Sequence, residues 1–427
     1  MRILVTTLGR GQPPKGNHEA VHGNYQTAQY RFENETKPSA PTQFFGLALY
    51  RHLVETGWKP DKIVVLGTAT SMWDVWLDSS PELAEHAEFA VELYELQKPG
   101  SIGVSANILG RLSEILSNHY QVVFDCRLIP FGRTSDEQAD ILRVLDRTVG
   151  RGDEVVLDVT HGFRHLPMLE MLSSFLLRHV KNVGTVALYY GALDMPGIDG
   201  VKTVVRLDAL SDLEKWIEAV AVLESSGNVL PLSAACSGLP RGKAVQANLE
   251  RYQFLSEMND LFPLRTTAKA ISDWIKTASS ASATVALFQD VLMDFFSWHS
   301  LAPAQGQLAL AERAMRTGRR DKAVMLAFES VITAHLASGD KPTDFTARSD
   351  VEKNISEAFK GKGDNRWWLL KDLRNALAHG TVADSSRVRD TINSMRSDVR
   401  RFAAEMKILL NWARTEIARA RTAEKTT

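Results

Sequence analysis

Cysteine is scarce in this sequence: Cys126 and Cys236 are the two among 427 residues. They form no CxxC pair, which argues against both a disulfide framework and a cysteine-based zinc site. Long apolar runs are also lacking, since no stretch approaches the roughly 18 to 20 residues that span a bilayer. The apolar run at residues 2–8 is too short for a signal peptide. We therefore expect a cytoplasmic protein with reduced thiols and no membrane partner.

An excess of charge of one sign is absent as well, because 50 Lys and Arg face 51 Asp and Glu, for a net charge of −1. This balance argues against a protein that coats nucleic acid along its whole surface. Residues 366–427 nevertheless contain 13 basic and seven acidic side chains. A polyanion held near that end would explain the excess, and so would a solvated helix face with ion pairs such as Arg387–Asp390.

The first half alternates between two patterns that predict strands and helices. The short β-branched runs are apolar at most positions, which is typical of strands buried on both faces of a parallel sheet. Helical stripes lie between them, so the alternation predicts a Rossmann-like, doubly wound α/β sheet. The predicted strands are residues 2–8, 62–67, 121–125, 154–159, 185–190 and 203–207. The clearest helices are residues 42–55, 135–149 and 167–180.

The second half shows no convincing strands and repeated helical stripes, which predicts an all-α region. Residues 277–284 are small and polar and are interpreted as a loop or a weak link between helices. Residues 11–41 are polar and proline-bearing, and are interpreted as a long loop or hairpin excursion. The predicted domains are an α/β domain at 1–208, a helical connector at 209–300 and a helical domain at 301–427.

The segment DVTHGFRHLP joins a predicted buried strand to a predicted helix. In open α/β sheets ligands bind beyond the carboxyl ends of the strands, and a helix N-terminus there favours phosphate. The segment therefore indicates an anion or nucleotide pocket. The alternative is a capped turn in which Asp158 bonds the backbone and His161 is packed. The candidate ligand residues are Asp158, Thr160, His161, Gly162 and Arg164.

Three other loops are expected at the same edge. They contain glycines, hydroxyls or an arginine, which suit contact with phosphate or ribose, although tight turns explain most such glycines. None matches a P-loop or a GxGxxG fingerprint, so a dinucleotide oxidoreductase is disfavoured. The candidate residues in these loops are Leu8, Gly9, Gly67, Thr68, Ser71 and Arg133.

A second constellation, Arg374, Asn375 and His379, lies in the helical segment LKDLRNALAHG. Asn375 and His379 share a helix face, whereas Arg374 and His379 are about 140° apart on an ideal helix. If these residues are catalytic, the chemistry favoured is metal-independent RNA cleavage. His379 would exchange protons, Arg374 would stabilise the phosphate and the 2′-hydroxyl would attack, leaving a 2′,3′-cyclic phosphate. The alternative is a histidine at a helix end capped by Gly380, with Arg374 on a solvated face.

Together these two segments resemble a known family. DVTHG resembles the DxTHG signature of CRISPR-associated CARF proteins. RNALAH resembles the motif of HEPN ribonucleases, in which His follows Arg after four to six residues. The order of the two halves is similar to that of the CARF–HEPN effector ribonucleases of type III CRISPR systems, over essentially the whole chain.

This resemblance implies a homodimer, with higher oligomers possible, that cleaves single-stranded RNA in antiviral defence. Two CARF domains would share a pocket for a cyclic oligoadenylate activator, with cyclic tetra-adenylate favoured over hexa-adenylate. Two HEPN domains would combine their Arg–His pairs, with no metal and no other cofactor. Alternatives are a ligand-binding regulator with a non-catalytic helical domain, a ring nuclease that degrades the activator through His161 or Thr160, and a nucleotide-dependent metabolic enzyme.

Overall fold

The computed structural model describes residues 1–10, 26–98, 100–183, 185–195, 197, 199–337, 340–341, 343–384 and 386–424. The chain divides into two compact units, Met1–Ser211 and Asp212–Thr427. The first is built on a mixed sheet and the second consists of helices, so the predicted α/β plus all-α fold class is confirmed. The finer division at residue 300 stays a prediction.

A seven-stranded sheet organises the first unit, in the order β2-β7-β6-β5-β1-β3-β4. Its strands are β1 Arg2–Thr7, β2 Tyr30–Arg31, β3 Lys62–Gly67, β4 Val123–Leu128, β5 Glu154–Asp158, β6 Thr185–Gly191 and β7 Lys202–Arg206. Neighbouring strands are parallel except β6 and β7, which are antiparallel. The expectation of a parallel sheet is therefore wrong at this one pairing.

Both faces of the sheet are buried, as the apolar strand pattern predicts. Leu4 and Ile63 point into one core and Ile3 and Val64 into the other, because successive side chains alternate between faces. Helices cover each face with their apolar stripes. They are α1 Phe45–Glu55, α2 Val75–Asp78, α3 Ala87–Leu96, α4 Ala106–Tyr120, α5 Ser135–Thr148 and α6 Leu166–Lys181, with a 3-10 helix at Pro81–His86.

One outer part of the sheet differs from expectation, and the opposite edge carries charged side chains. Of the predicted excursion at residues 11–41, positions 11–25 lie outside the described residues, and β2 occupies part of the rest as a two-residue strand beside β7. At the opposite edge, Asp125 of β4 forms ion pairs with Lys62 (2.7 Å) and with Arg127 (2.8 Å).

Helix α7, Asp208–Ser226, crosses the boundary between the two units. The predicted loop at residues 277–284 is mostly helix, and the break is confined to Ser282, which caps the next helix through its side chain. The remaining helices are α8 Leu230–Ala235, α9 Gly242–Glu257, α10 Leu261–Ala281, α11 Ala283–Phe296, α12 Pro303–Arg316, α13 Arg320–Ala334, α14 Phe345–Phe359, α15 Arg366–His379, α16 Arg389–Ser397 and α17 Val399–Glu424.

None of the helices in the described ranges is both long and apolar enough to cross a membrane. The core of the second unit is continuous from Trp216 of α7 to Ile417 of α17.

Two helical glycines in the first unit provide a matched test of this packing. A Cβ on Gly46 of α1 would lie 2.6 Å from the Thr6 hydroxyl and the Phe44 ring, whereas one on exposed Gly110 of α4 would meet nothing within 4 Å. We expect Gly110→Ala to raise the free energy of unfolding by about 0.5–1 kcal/mol, the usual gain in a helix. Gly46→Ala should lower it by about 1–3 kcal/mol through overpacking.

Hydrogen exchange of peptides from β1 and β3 in the full-length chain reads the stability of this unit directly. Equal effects of the two substitutions would contradict the close approach of α1 to the sheet.

Candidate functional site

The carboxyl ends of β1 and β5 mark the point where the strand order of the sheet reverses. β3 and β4 lie on one side of β1, and after β4 the chain returns to place β5 on the other side of β1. Ligands of open α/β sheets bind at such a switch point, because the loops from the two central strands diverge there. The predicted ligand loops after β1, β3, β4 and β5 all lie at this edge.

Asp158, at the end of β5, is a fully buried carboxyl that holds the edge together. One oxygen accepts the hydroxyl of Thr6 from β1 (2.7 Å), and the other accepts the backbone N–H of Thr160 (3.0 Å). The Thr160 hydroxyl in turn accepts the N–H of Gly191 from β6 (2.8 Å). Burial raises the pKa of Asp158 from 3.8 to about 6, against the lowering effect of these hydrogen bonds.

His161 is packed rather than presented to solvent. Its Nε2 accepts the backbone N–H of Phe45 at the start of α1 (3.3 Å), and its ring stacks on Phe44. Burial lowers its pKa from 6.5 to about 3, so the imidazole is neutral. Asp158 and His161 therefore match the alternative of a capped turn, because Asp158 bonds the backbone and His161 is packed inside the loop.

The tip of the same loop is exposed. Gly162 has φ +112°, in the region that favours glycine, and a Cβ there would lie 2.9 Å from Leu166. Arg164 is exposed beside it. The start of α6 is less open to an anion than predicted, because Leu166 N–H is bonded to the Phe163 carbonyl and Pro167 has no N–H.

The loops after β1 and β3 use their polar side chains internally. The Ser71 hydroxyl donates to the Leu8 carbonyl (3.0 Å) and accepts the N–H of Thr68 (2.9 Å). The Met72 N–H donates to the Gly9 carbonyl (3.0 Å), which ties the two loops together. Gly67 is required by packing, since a Cβ there would lie 2.7 Å from the Trp73 ring. These residues fix the shape of the edge.

Arg133, in the loop after β4, is exposed, and its guanidinium lies 4.4 Å from the centre of the Phe131 ring. Phe131 contacts Phe163 of the β5–α6 loop, with ring centres 5.9 Å apart. Neither phenylalanine was predicted from the sequence as a site residue. The sequence feature that could have indicated them is one aromatic residue in each of two loops that are expected at the same edge.

A second buried carboxyl, Glu170 of α6, lies beneath this edge. Neither of its oxygens has a hydrogen-bond partner among the described residues, and the nearby Thr7 hydroxyl donates to the His161 carbonyl instead (2.6 Å). Burial and the charge of Asp158 raise the pKa of Glu170 well above its ordinary value. The charged form of this carboxyl is therefore disfavoured by its burial.

Cavities and metal ligands give no additional support for this edge. A cavity of about 530 Å³ lies beside α1, and its lining, which includes Phe32, Arg51 and His52, contains none of the predicted ligand residues. In the parts of the chain that the structure describes, no three His, Cys, Asp or Glu side chains gather as metal ligands would.

The second candidate site lies on α15. Trp367, Leu370 and Leu373 bury one face of this helix in the core, while His379 is exposed in the last turn. Gly380 caps the helix in the left-handed region with φ +75°, as its sequence position predicts. Since α15 runs without a break to His379, Arg374 and His379 diverge by about 140° around one helix.

Arg374 is oriented by three neighbours. One guanidinium nitrogen donates to the Asn375 side-chain oxygen (3.0 Å), and the other lies 3.9 Å from Glu352 of α14. The guanidinium is 4.5 Å from the centre of the buried Phe328 ring. Asn375 therefore contacts Arg374 directly while sharing a helix face with His379.

The side chains around this face were not predicted from the sequence. Glu352 pairs with Lys371 at 2.8 Å. Arg387 does not pair with Asp390 but lies 4.6 Å from the centre of a Trp368 ring system. The Ser386 hydroxyl donates to Asp372 (2.6 Å), so the loop after His379 folds back along α15.

The opposite pKa shifts of Asp158 and His161 predict a measurable pH dependence. Between pH 3.8 and about 6 the folded protein binds an extra proton at Asp158, so this group makes the free energy of unfolding fall as pH rises. Between about 3 and 6.5 the unfolded chain binds an extra proton at His161, which makes it rise. In wild type the two contributions oppose each other.

Asp158→Asn leaves only the His161 contribution. The free energy of unfolding should then increase with pH between 4 and 6 more steeply than in wild type, by up to about 1.4 kcal/mol per pH unit. Hydrogen exchange of β1 and β5 peptides across this range measures the slope. The control is Asp194→Asn, which removes an exposed carboxylate. An unchanged slope in Asp158→Asn would contradict the raised pKa of this carboxyl.

Comparisons with known proteins address the first unit most directly. Residues 3–194 match the family model described as CRISPR system endoribonuclease Csx1, CARF domain. The chain is also 23% identical over 419 residues to the CRISPR-associated protein MJ1674 of Methanocaldococcus jannaschii, which covers 92% of this chain and 64% of that protein. The chain thus spans less than two-thirds of the length of this curated relative.

A solved structure, Enterococcus italicus Csm6 bound to cyclic hexa-2′-fluoro-hexa-dAMP, aligns over 100% of this chain and 98% of that one, with 12% identity. Its TM-score of 0.37 is too low to show a shared fold. The family match, in contrast, contains the DVTHG segment and the whole switch-point edge. The predicted resemblance is confirmed: residues 3–194 are similar to the CARF domain of CRISPR system endoribonuclease Csx1, and the chain is similar over most of its length to a CRISPR-associated protein.

Proposed function

We propose that the protein is an endoribonuclease of type III CRISPR defence that cleaves single-stranded RNA when a cyclic oligoadenylate binds its CARF domain. The observation that supports this most is the combination of a Csx1-type CARF domain with an exposed HEPN-like motif on α15 of the same chain. Arg374, Asn375 and His379 lie together in the C-terminal half of that helix, and His379 is exposed.

The proposed chemistry needs no metal. His379 exchanges a proton with the 2′-hydroxyl or the leaving oxygen, a role suited to imidazole near neutral pH. Arg374 stabilises the charge that develops on the phosphate, and Asn375 orients the guanidinium that it already contacts. The 2′-oxygen attacks phosphorus, the 5′-oxygen leaves with a proton, and the product ends in a 2′,3′-cyclic phosphate.

This catalytic group requires two chains. Because Arg374 and His379 diverge by about 140° on α15, one chain does not aim both at a single phosphate. A symmetric homodimer brings α15 of each chain to a common groove, where the arginine of one and the histidine of the other converge. Higher oligomers are compatible with the same arrangement.

Activation is proposed to act through the same dimer. A ligand shared by two CARF domains favours the subunit arrangement that it binds best, and thereby the spacing of the two α15 helices. Helix α7, which crosses the boundary between the units, is the candidate transmitter. Exposed Arg133 and Arg164 are the proposed phosphate contacts, and cyclic tetra-adenylate is the favoured activator over hexa-adenylate.

The test is cleavage of a fluorescently labelled single-stranded RNA by full-length protein in EDTA, with cyclic tri-, tetra- or hexa-adenylate. We expect cleavage with one of these rings, strongest with tetra-adenylate, and products ending in a 2′,3′-cyclic phosphate. His379→Ala should lower the cleavage rate by about 10²–10⁴-fold, the usual contribution of a general acid–base group. Replacing the scissile 2′-hydroxyl by hydrogen should abolish cleavage.

The matched control is His119→Ala, which removes another exposed histidine in the last turn of a helix. It should leave cleavage unchanged. Full activity in His379→Ala would refute catalysis on α15 and favour a regulator. Conversion of the activator to linear products by the His379→Ala protein would favour a ring nuclease in the CARF domain.

A further inference from the structure

Two loops at the carboxyl edge of the CARF domain are joined by a hydrogen bond in which the DVTHG segment takes no part. His165 Nε2 donates to the Phe131 carbonyl across 34 positions of sequence (2.9 Å). This approach depends on Gly132, where φ is +73° and a Cβ would lie 2.7 Å from His165 Nε2. The Gln138 side chain also donates to the Gly132 carbonyl (3.1 Å). The loops after β4 and β5 therefore hold a fixed relative position.

The hydrogen bond between these two loops holds aromatic rings next to one another at the surface. Phe163 stacks on His165, with ring centres 5.9 Å apart and an interplanar angle of 14°. Phe163 also contacts Phe131, with ring centres 5.9 Å apart and an interplanar angle of 51°. Phe163 is 40% exposed at the tip of its loop, so a large part of its ring does not serve the core. An aromatic ring presented on a rigid loop is typical of a recognition surface.

Positive charge flanks these rings. The Arg133 guanidinium lies 4.4 Å from the Phe131 ring centre, and Arg164 directly follows Phe163. Among the described residues neither arginine side chain forms an ion pair. The nearby carboxylate of Glu137 accepts the backbone N–H of Arg133 instead. The patch therefore combines π-faces with uncompensated cations, which complements a nucleotide with its flat base and its phosphate.

We propose that Phe131 and Phe163 form a base-stacking subsite for one nucleotide of the cyclic oligoadenylate. Arg133 and Arg164 contact the phosphates on either side of that base. Stacking accepts any base, so this subsite contributes affinity rather than base identity. The inference rests on the proposed function, since it assumes that the activator binds this edge, and it adds the residues that hold the base.

The dependence of binding on salt concentration distinguishes base stacking from contacts between charges. Binding of cyclic tetra-adenylate to full-length protein is measured by calorimetry at 50 and at 500 mM salt. Phe163→Leu keeps apolar bulk but removes the π-face, and should weaken binding by about 5- to 100-fold at both salt concentrations. Arg164→Gln should weaken binding mainly at low salt and flatten the dependence of affinity on salt. Phe131→Leu should resemble Phe163→Leu.

Two further variants control for folding and for apolar loss. Phe163→Tyr keeps the ring and should bind as wild type does. Phe345→Ala removes a phenylalanine that is 84% exposed in the second unit, and should have no effect on binding. Thermal melts and sedimentation of the ligand-free proteins accompany each measurement.

The outcomes are distinct. If wild type binds cyclic tetra-adenylate and both leucine variants bind equally well, the stacking subsite is wrong while the proposed function stands. If wild type binds no cyclic tri-, tetra- or hexa-adenylate, the proposed function falls and takes the subsite with it. If Phe163→Leu instead changes the sedimentation of the ligand-free chain, the ring belongs to a subunit contact and the subsite is refuted.

Discussion

A single buried carboxyl, Asp158, ties together β1 and β5, the two central strands at the edge where the candidate ligand loops lie. It receives one hydrogen bond from β1 and one from the turn that follows β5, at the point where the strand order reverses. Burying a carboxyl is costly unless its oxygens are bonded, so the geometry of these donors is tightly constrained. The exposed part of the edge, from Gly162 to Arg164, is held in place by this internal network.

The residues of the DxTHG signature and their neighbours therefore have different roles at this edge. Asp158 and His161 face inward, where one bonds the backbone and the other packs as a neutral ring on Phe44. The same holds for Thr68 and Ser71, whose hydroxyls are used within the protein. Phe163, Arg164 and Arg133, in contrast, are exposed. A motif residue can therefore fix the shape of this edge without facing solvent.

Much of the fold could be predicted from sequence because its strands are short β-branched runs bounded by turns. The strand at Lys62–Gly67 and the capped end of α15 at Gly380 are examples in which local chemistry decides the structure. β2 was missed because two residues carry no periodic pattern. The antiparallel direction of β7 was missed because a strand's composition does not encode its direction.

The candidate sites were harder to predict for a related reason. The contacts of Phe131 with Phe163 and of Trp368 with Arg387 join distant positions, and no local pattern marks either pair. The inward use of Thr68 and Ser71 was likewise invisible, because a hydroxyl in a loop serves a turn or a ligand equally well. Hydrogen-bond partners, rather than residue types, distinguish the two.

The ends of the sheet carry a consequence for assembly. β4 bears Asp125 and Arg127 within an ion-pair cluster, and β7 is covered by the two residues of β2. Charged and very short margins discourage an incoming chain from extending a sheet by backbone pairing. These edges therefore disfavour association of copies by strand pairing. Association is left to side-chain surfaces, and such contacts can be rearranged reversibly.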